Sequence, residues 1–289
     1  MQKIGLSVLE NMVRKKVTNR ELDFILYIAR YQNEYGVVTG VHYKDVCDGA
    51  GLSYQGFYDC KRSLEDKGII SCEKNNYFDW DITIEGNSFK GKENYGRGYV
   101  SIHCNMVRDP EFRKCKVGSK LLALLLMRDW KIAVKKSKSS SFQILKENFV
   151  SKYTGLFGVS KRMVRQYLGE LQSFISVYLE EGRKYYLTFK KTAVMIDAKA
   201  ESENNELRSH DITVACRRNR IKEAGTSVHQ GICQILCQQH KKIENSFTYD
   251  LTEMVRKSLE IRNQGRKRWK RELSVPLLHK VLVDALTNV

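Results

Sequence analysis

Three clusters in the chain carry residue types that could perform chemistry. His229, Cys233, Cys237 and His240 fall at spacings of four, four and three, and soft ligands one helical turn apart can share a metal ion. Four such ligands spread over roughly 16 Å of helix at about 1.5 Å per residue cannot surround one ion. Three at most could, so the stripe is expected to be packed core rather than a metal site. "GNSFKGKE" (86–93) approaches the phosphate-binding pattern G-x-x-x-x-G-K-[ST], but it ends in Glu93 where a magnesium-binding hydroxyl belongs. It is therefore expected to be a linker. "DWD" (79–81) sets two carboxylates on one face of a strand. No third ligand stands near them, and a solvated strand is expected. No nucleophile elbow or zincin motif occurs, so the expectation is a non-enzyme with no catalytic residues, no metal and no cofactor.

The remaining chemistry is that of cations. "GVSKRMVRQYLGELQSF" (158–174) opens with Ser160, then exposes Lys161, Arg162, Arg165 and Gln166 at helical spacing. Arg and Lys match the O6/N7 edge of guanine, and Gln matches adenine. Ser160 at the helix start favours a phosphate. Arg183 and Lys184 sit at a hairpin signal farther on, and Lys135, Lys136 and Lys138 form a basic stretch, "KKSKSS" (135–140), expected to be a loop. Arg266, Lys267, Arg268 and Lys270 surround Trp269 in a third basic run. Any one of these cations is ordinarily a solvated surface charge. As sets they fit the phosphates and groove edges of double-stranded DNA.

Charge distribution agrees. The chain of 289 residues carries fifty Lys and Arg against thirty-three Asp and Glu, a net charge of +17. Residues 18–90 hold eight basic and twelve acidic side chains, whereas 99–199 hold twenty basic and eight acidic. Segregation of this kind favours a polyanionic partner for one region only. The first seventeen residues lack the apolar core of a secretion signal, and "LLALLLM" (121–127) is far too short to cross a bilayer. Eight scattered cysteines read as reduced thiols. A cytoplasmic protein associated with nucleoid or plasmid, and not with a membrane, is expected.

The elements that must position these residues repeat. "GLSYQGFYDCKRSLEDKGIIS" (51–71) aligns with the stretch from Gly158, pairing Ser53 with Ser160, Phe57 with Val164 and Leu64 with Leu171. Each copy begins with a Gly that permits a tight turn and a Ser suited to capping the next helix. Upstream of each lies an apolar helix, "NRELDFILYIARYQ" (19–32) or "GSKLLALLLMRDW" (118–130), then a second helix, "HYKDVCDGAG" (42–51) or "SFQILKENFVSKYTG" (141–155). Downstream come two strands, joined at Asn75-Asn76 in the first copy and around Glu181-Gly182 in the second. The predicted fold is mainly α with short β-hairpins: two tandem winged helix-turn-helix domains, at 18–90 and 99–191, and a helical C-terminal domain at 208–289. The acidic stretch at 197–210 reads as a linker between them.

This order of elements, together with "GYVSIHCNMVRDPEFRKCKVGSKLLALLL" (98–126), resembles the tandem winged-helix DNA-binding proteins of bacteria and their plasmids, particularly replication initiators. The resemblance covers about residues 18–191 and implies that the first domain serves dimerisation while the second reads DNA. Tyr54, Gln55 and Tyr58, exposed on the first copy's helix, suit a partner interface. A sequence-specific duplex-DNA-binding homodimer, a replication initiator of a plasmid or mobile element, is the expected function. A transcriptional regulator with tandem winged helices and a winged-helix protein-interaction module are the alternatives.

Overall fold

The computed structural model describes residues 2–75, 79–90, 98–137, 140–190, 200–218, 228, 230–232, 234–235 and 274–287. The chain forms two compact units, Met1–Glu73 with Trp80–Ala198, and Lys74–Asp79 with Lys199–Val289. It is a mixed α/β protein, largely helical, with small antiparallel sheets.

The first unit opens with β1 (Gln2–Gly5) and α1 (Leu6–Arg14). The first copy of the repeat follows as α2 (Asn19–Ile28), β2 (Val37–Val41), α3 (Tyr43–Ala50), α4 (Tyr54–Asp66), β3 (Ile70–Lys74) and β4 (Trp80–Ile84). After β5 (Tyr99–Ile102), α5 (Cys104–Arg108) and α6 (Pro110–Lys114), the second copy runs α7 (Val117–Ser137), β6 (Phe142–Leu145), α8 (Lys146–Phe157), α9 (Lys161–Glu170), β7 (Ile175–Glu180) and β8 (Lys184–Phe189). The two copies share one order of elements and one strand order, β2-β4-β3 and β6-β8-β7.

Local chemistry explains the boundaries. Thr18 caps α2 with a reciprocal capping box: its hydroxyl accepts from Glu21 N at 3.3 Å while the Glu21 carboxylate accepts from Thr18 N at 2.5 Å. Ser53 and Ser160 cap α4 and α9 through the hydroxyl alone, accepting from Gly56 N and Met163 N. Gly51 and Gly158 end α3 and α8 in the left-handed region, φ 70° and 62°, where a Cβ is strained. Glu181 and Gly182 both have positive φ, 45° and 69°, in the three-residue turn between the paired Glu180 and Lys184, closed by Arg183 N donating to the Glu180 carbonyl at 2.9 Å.

Several sequence expectations are corrected. Each hairpin gains a third strand, because Val37–Val41 and Phe142–Leu145 pair with β4 and β8. The latter was expected to be helix; its side chains alternate between the core and solvent. The N-terminal segment, assigned to neither domain, is core: Ile4, Val8, Leu9, Met12 and Val13 are buried, and β1 pairs antiparallel with β5. Asn87, expected in a linker, is buried. Its Oδ1 accepts from Gly5 N at 2.7 Å and its Nδ2 donates to Gln32 Oε1 at 2.6 Å. Lys135 and Lys136 belong to the last turn of α7 rather than to a loop. Residues 200–218, partly assigned to a linker, form a helix, α10 (Ala200–Arg218). The second unit also contains α11 (Val275–Thr287), with Pro276 in its first turn.

One continuous core runs through both copies of the repeat, from Ile4 to Phe189. The leucines of α7, Leu121 to Leu126, lie at its centre and are almost fully buried. Lys120, on the same helix and with 0% of its side chain exposed, donates to both carboxylate oxygens of Asp23 on α2, at 2.7 and 2.9 Å. Burial pushes the Asp23 carboxyl up, with Lys120 and Arg113 opposing. Arg113 also donates to the Gly49 carbonyl at 2.9 Å. The Lys120–Asp23 pair thus joins the copies within a shared apolar interior.

Candidate nucleic-acid interface

Helix α9 is held by its apolar side. Val164 and Leu168 are buried against α7 and α8, and the Tyr167 ring lies over Gly118, where a Cβ would collide with it. The C-terminal end is latched: Glu170 accepts from Ser119 Oγ at 2.6 Å and pairs with Lys116 Nζ at 3.1 Å. Burial raises the Glu170 carboxyl, but Ser119 and Lys116 outweigh it and leave its pKa below the ordinary value.

This anchorage turns Ser160, Lys161, Arg162, Arg165 and Gln166 outward, and all five are exposed. The spacing of one and four residues along the helix makes them a single stripe. Among the described residues Lys161, Arg162 and Arg165 carry no ion pair, so their charge is available to an external anion. Gln166 reaches Glu170 only weakly, at 3.5 Å.

The other expected contacts lie on separate elements. Arg183 is exposed at the β7–β8 turn; Lys184 is half-buried with Nζ 5.3 Å from the Tyr186 ring centre. Lys135 and Lys136 are exposed at the end of α7. Lys138, the basic run Arg266, Lys267, Arg268 and Lys270 with Trp269, and the stripe His229, Cys233, Cys237 and His240 lie outside the described residues. Among those that are described, no group of three His, Cys, Asp or Glu side chains is placed to hold a metal ion. "DWD" is not a solvated pair: Asp79 is fully buried and paired with Arg218 at 3.2 Å, while Asp81 accepts from Gly40 N at 2.8 Å.

The equivalent helix of the first copy, α4, presents a different surface. Tyr54 is 58% exposed and stacks edge-on to Tyr43 at 5.0 Å and tilted to Tyr58 at 4.9 Å. Gln55 donates to Asp59 Oδ1 at 2.8 Å. The contact with Tyr54 raises the Tyr58 hydroxyl above its usual range. Lys61 is not a free cation: it pairs with Glu65 at 2.6 Å and covers the Trp80 ring at 4.1 Å.

The latches on α4 and α9 escaped sequence reading. Lys67, following α4, donates to both Glu21 oxygens at 2.7 Å. Its only sequence trace was the Thr18–Glu21 capping pattern. No helix among the described residues is long and apolar enough to cross a membrane. No protein-family model, curated protein or solved structure matches the chain.

Proposed function

We propose that the chain binds double-stranded DNA, with α9 as the recognition helix and the β7–β8 hairpin as its wing. The observation that carries this reading is the unpaired cationic stripe of α9, set against Tyr54, Gln55, Tyr58 and the acidic Asp59 at the same positions of α4. The order helix, strand, helix, helix, hairpin in both copies supports winged helix-turn-helix modules, whose second helix enters the major groove. In this reading Arg162 and Arg165 contact guanine edges and Gln166 an adenine. Lys161, Arg183, Lys135 and Lys136 neutralise phosphates, and Ser160, at the α9 N-terminus, stands where a phosphate is favoured. The tyrosine face of α4 joins two copies, matching a repeated DNA site. A plasmid or mobile-element replication initiator is the specific role that the tandem arrangement favours.

Capture of fragments of the source genome by the purified chain, followed by anisotropy titration of the recovered site over a salt series, tests the reading. The expected result is an enriched repeated site whose affinity falls steeply with salt. Absence of duplex binding, or binding insensitive to salt, would instead support a protein-interaction module.

A further inference from the structure

Apart from the wing turn at Arg183, the outer face of the β6-β8-β7 sheet carries no contact in the reading above. Cross-strand partners share a face, and the register places Gln143, Tyr186 and Tyr178 in one row across all three strands. The adjacent row is Leu145, Lys184 and Glu180. Tyr178 is 65% exposed and Leu145 53%. The Tyr178 and Tyr186 ring centres are 6.0 Å apart, and the Tyr186 hydroxyl donates to the Glu180 carboxylate at 2.8 Å, which fixes the ring. Lys184 Nζ lies over that same ring.

We propose that this sheet face is a stacking platform for the unpaired bases of a single-stranded nucleic acid, with Tyr178 as the stacking ring, Tyr186 as its support, and Gln143 and Lys184 as polar flanks. A flat face with exposed aromatic rings reaches a base only when that base is free of its neighbours, which a duplex prevents. Charge selects the occupant. Glu180 is bonded to Tyr186 and Glu181 sits in the turn, while Lys146, Arg183 and Lys184 border the same end of a module that carries twenty basic and eight acidic residues over 99–199. The corresponding strands of the first copy offer a contrast: Ser71, Glu73 and Asp81 stand at least partly exposed there, and an anion would be repelled. The inference does not depend on α9 reading duplex DNA.

The experiment is fluorescence anisotropy with the full chain, using an end-labelled oligothymidylate and, separately, a labelled duplex at one fixed salt concentration. Wild type is expected to bind the oligothymidylate. Tyr178→Ala is expected to weaken that binding roughly ten-fold, within the range a stacked base contributes, and Tyr178→Phe to retain it. Duplex affinity should be unchanged in both. Combined Arg162→Ala and Arg165→Ala should leave oligothymidylate binding intact whatever they do to the duplex, so failure of either reading is seen separately. No oligothymidylate binding by wild type, or equal binding by Tyr178→Ala, would overturn the proposal. So would a changed sedimentation coefficient of Tyr178→Ala with oligothymidylate affinity unaltered, which would make the face a protein interface.

Discussion

One residue past the capping serine, the first copy of the repeat carries Tyr54 and the second Lys161; the next three outward positions read Gln55, Tyr58 and Asp59 against Arg162, Arg165 and Gln166, and Tyr58, expected to be exposed, is half-buried against the core. Beneath these surfaces the construction is the same: a serine cap, a left-handed glycine closing the preceding helix, and an apolar side packed on a three-stranded sheet's helices. Each helix end is also held to the first helix of its copy by an acid–lysine pair, but with opposite polarity. In the first copy the acid, Glu21, belongs to the first helix and Lys67 follows α4; in the second, Glu170 belongs to α9 and Lys116 precedes α7. The scaffold requires a tie at that point and tolerates either sense of charge. The outward face is under no such packing constraint, and there the copies diverge.

The largest expected effect tests whether the copies are one folding unit. Asp23→Ala leaves the Lys120 ammonium buried without its partner, and should cost about 3–5 kcal/mol of stability. Because the core is shared, thermal unfolding followed by circular dichroism and by tryptophan fluorescence should shift together. Loss of one signal without the other would divide the unit.

Next come the helix surfaces. Arg162→Ala or Arg165→Ala should each weaken duplex binding by about 1–3 kcal/mol and relax base preference at one position. Gln55→Ala and Tyr58→Ala, at the equivalent sites of α4, should leave duplex affinity unchanged while weakening self-association measured by sedimentation. Comparable losses of DNA affinity from both helices would erase the functional distinction.

The latches make a smaller difference, visible in acid. Burial raises the Glu21 carboxyl, yet Lys67, Ser63 and Thr18 outweigh it, and its folded pKa lies below the ordinary 4.5. A depressed carboxylate stabilises the fold above the unfolded-state pKa, and this contribution is lost as pH falls through the lower folded value. Glu21→Gln should therefore lower stability at neutral pH by about 1–2 kcal/mol, through loss of the charge pair with Lys67 while the amide keeps the capping box, and flatten the acid limb of a stability–pH profile. Glu170→Gln should act in the same direction, by less than about 1 kcal/mol because its pair with Lys116 is more exposed.

The smallest effect is expected from replacing Lys135 and Lys136 together with alanine. Binding should weaken alike for every duplex, and the slope of log affinity against log salt should fall by about two. A change in base preference would place the end of α7 in a groove rather than on the backbone.

Much of the scaffold was legible locally. Ser160 followed by an apolar periodicity marks a helix start, and Glu181-Gly182 marks a hairpin turn, because these features depend on neighbouring residues alone. The exposed stripe of α9 could be read for the same reason: a capped amphipathic helix has only one side to bury. The strands Val37–Val41 and Phe142–Leu145 are harder to read, since a short strand is defined by partners that lie about forty residues away in sequence. Lys135 and Lys136 open a basic, serine-rich stretch that reads as a loop, yet the packed leucines of α7 carry the helix on to Ser137.

By itself, the sequence determined the repeat, the caps, the turn and the segregation of charge, all properties of short windows of chain. Tertiary structure alone decided that the first seventeen residues are core, that Asn87 is a buried connector, that Lys120 and Asp23 meet across two copies, and that Tyr178, Tyr186 and Gln143 share a row. Each of these is a contact between distant segments, made favourable only once the apolar interior has brought those segments together and removed the water that would otherwise satisfy them.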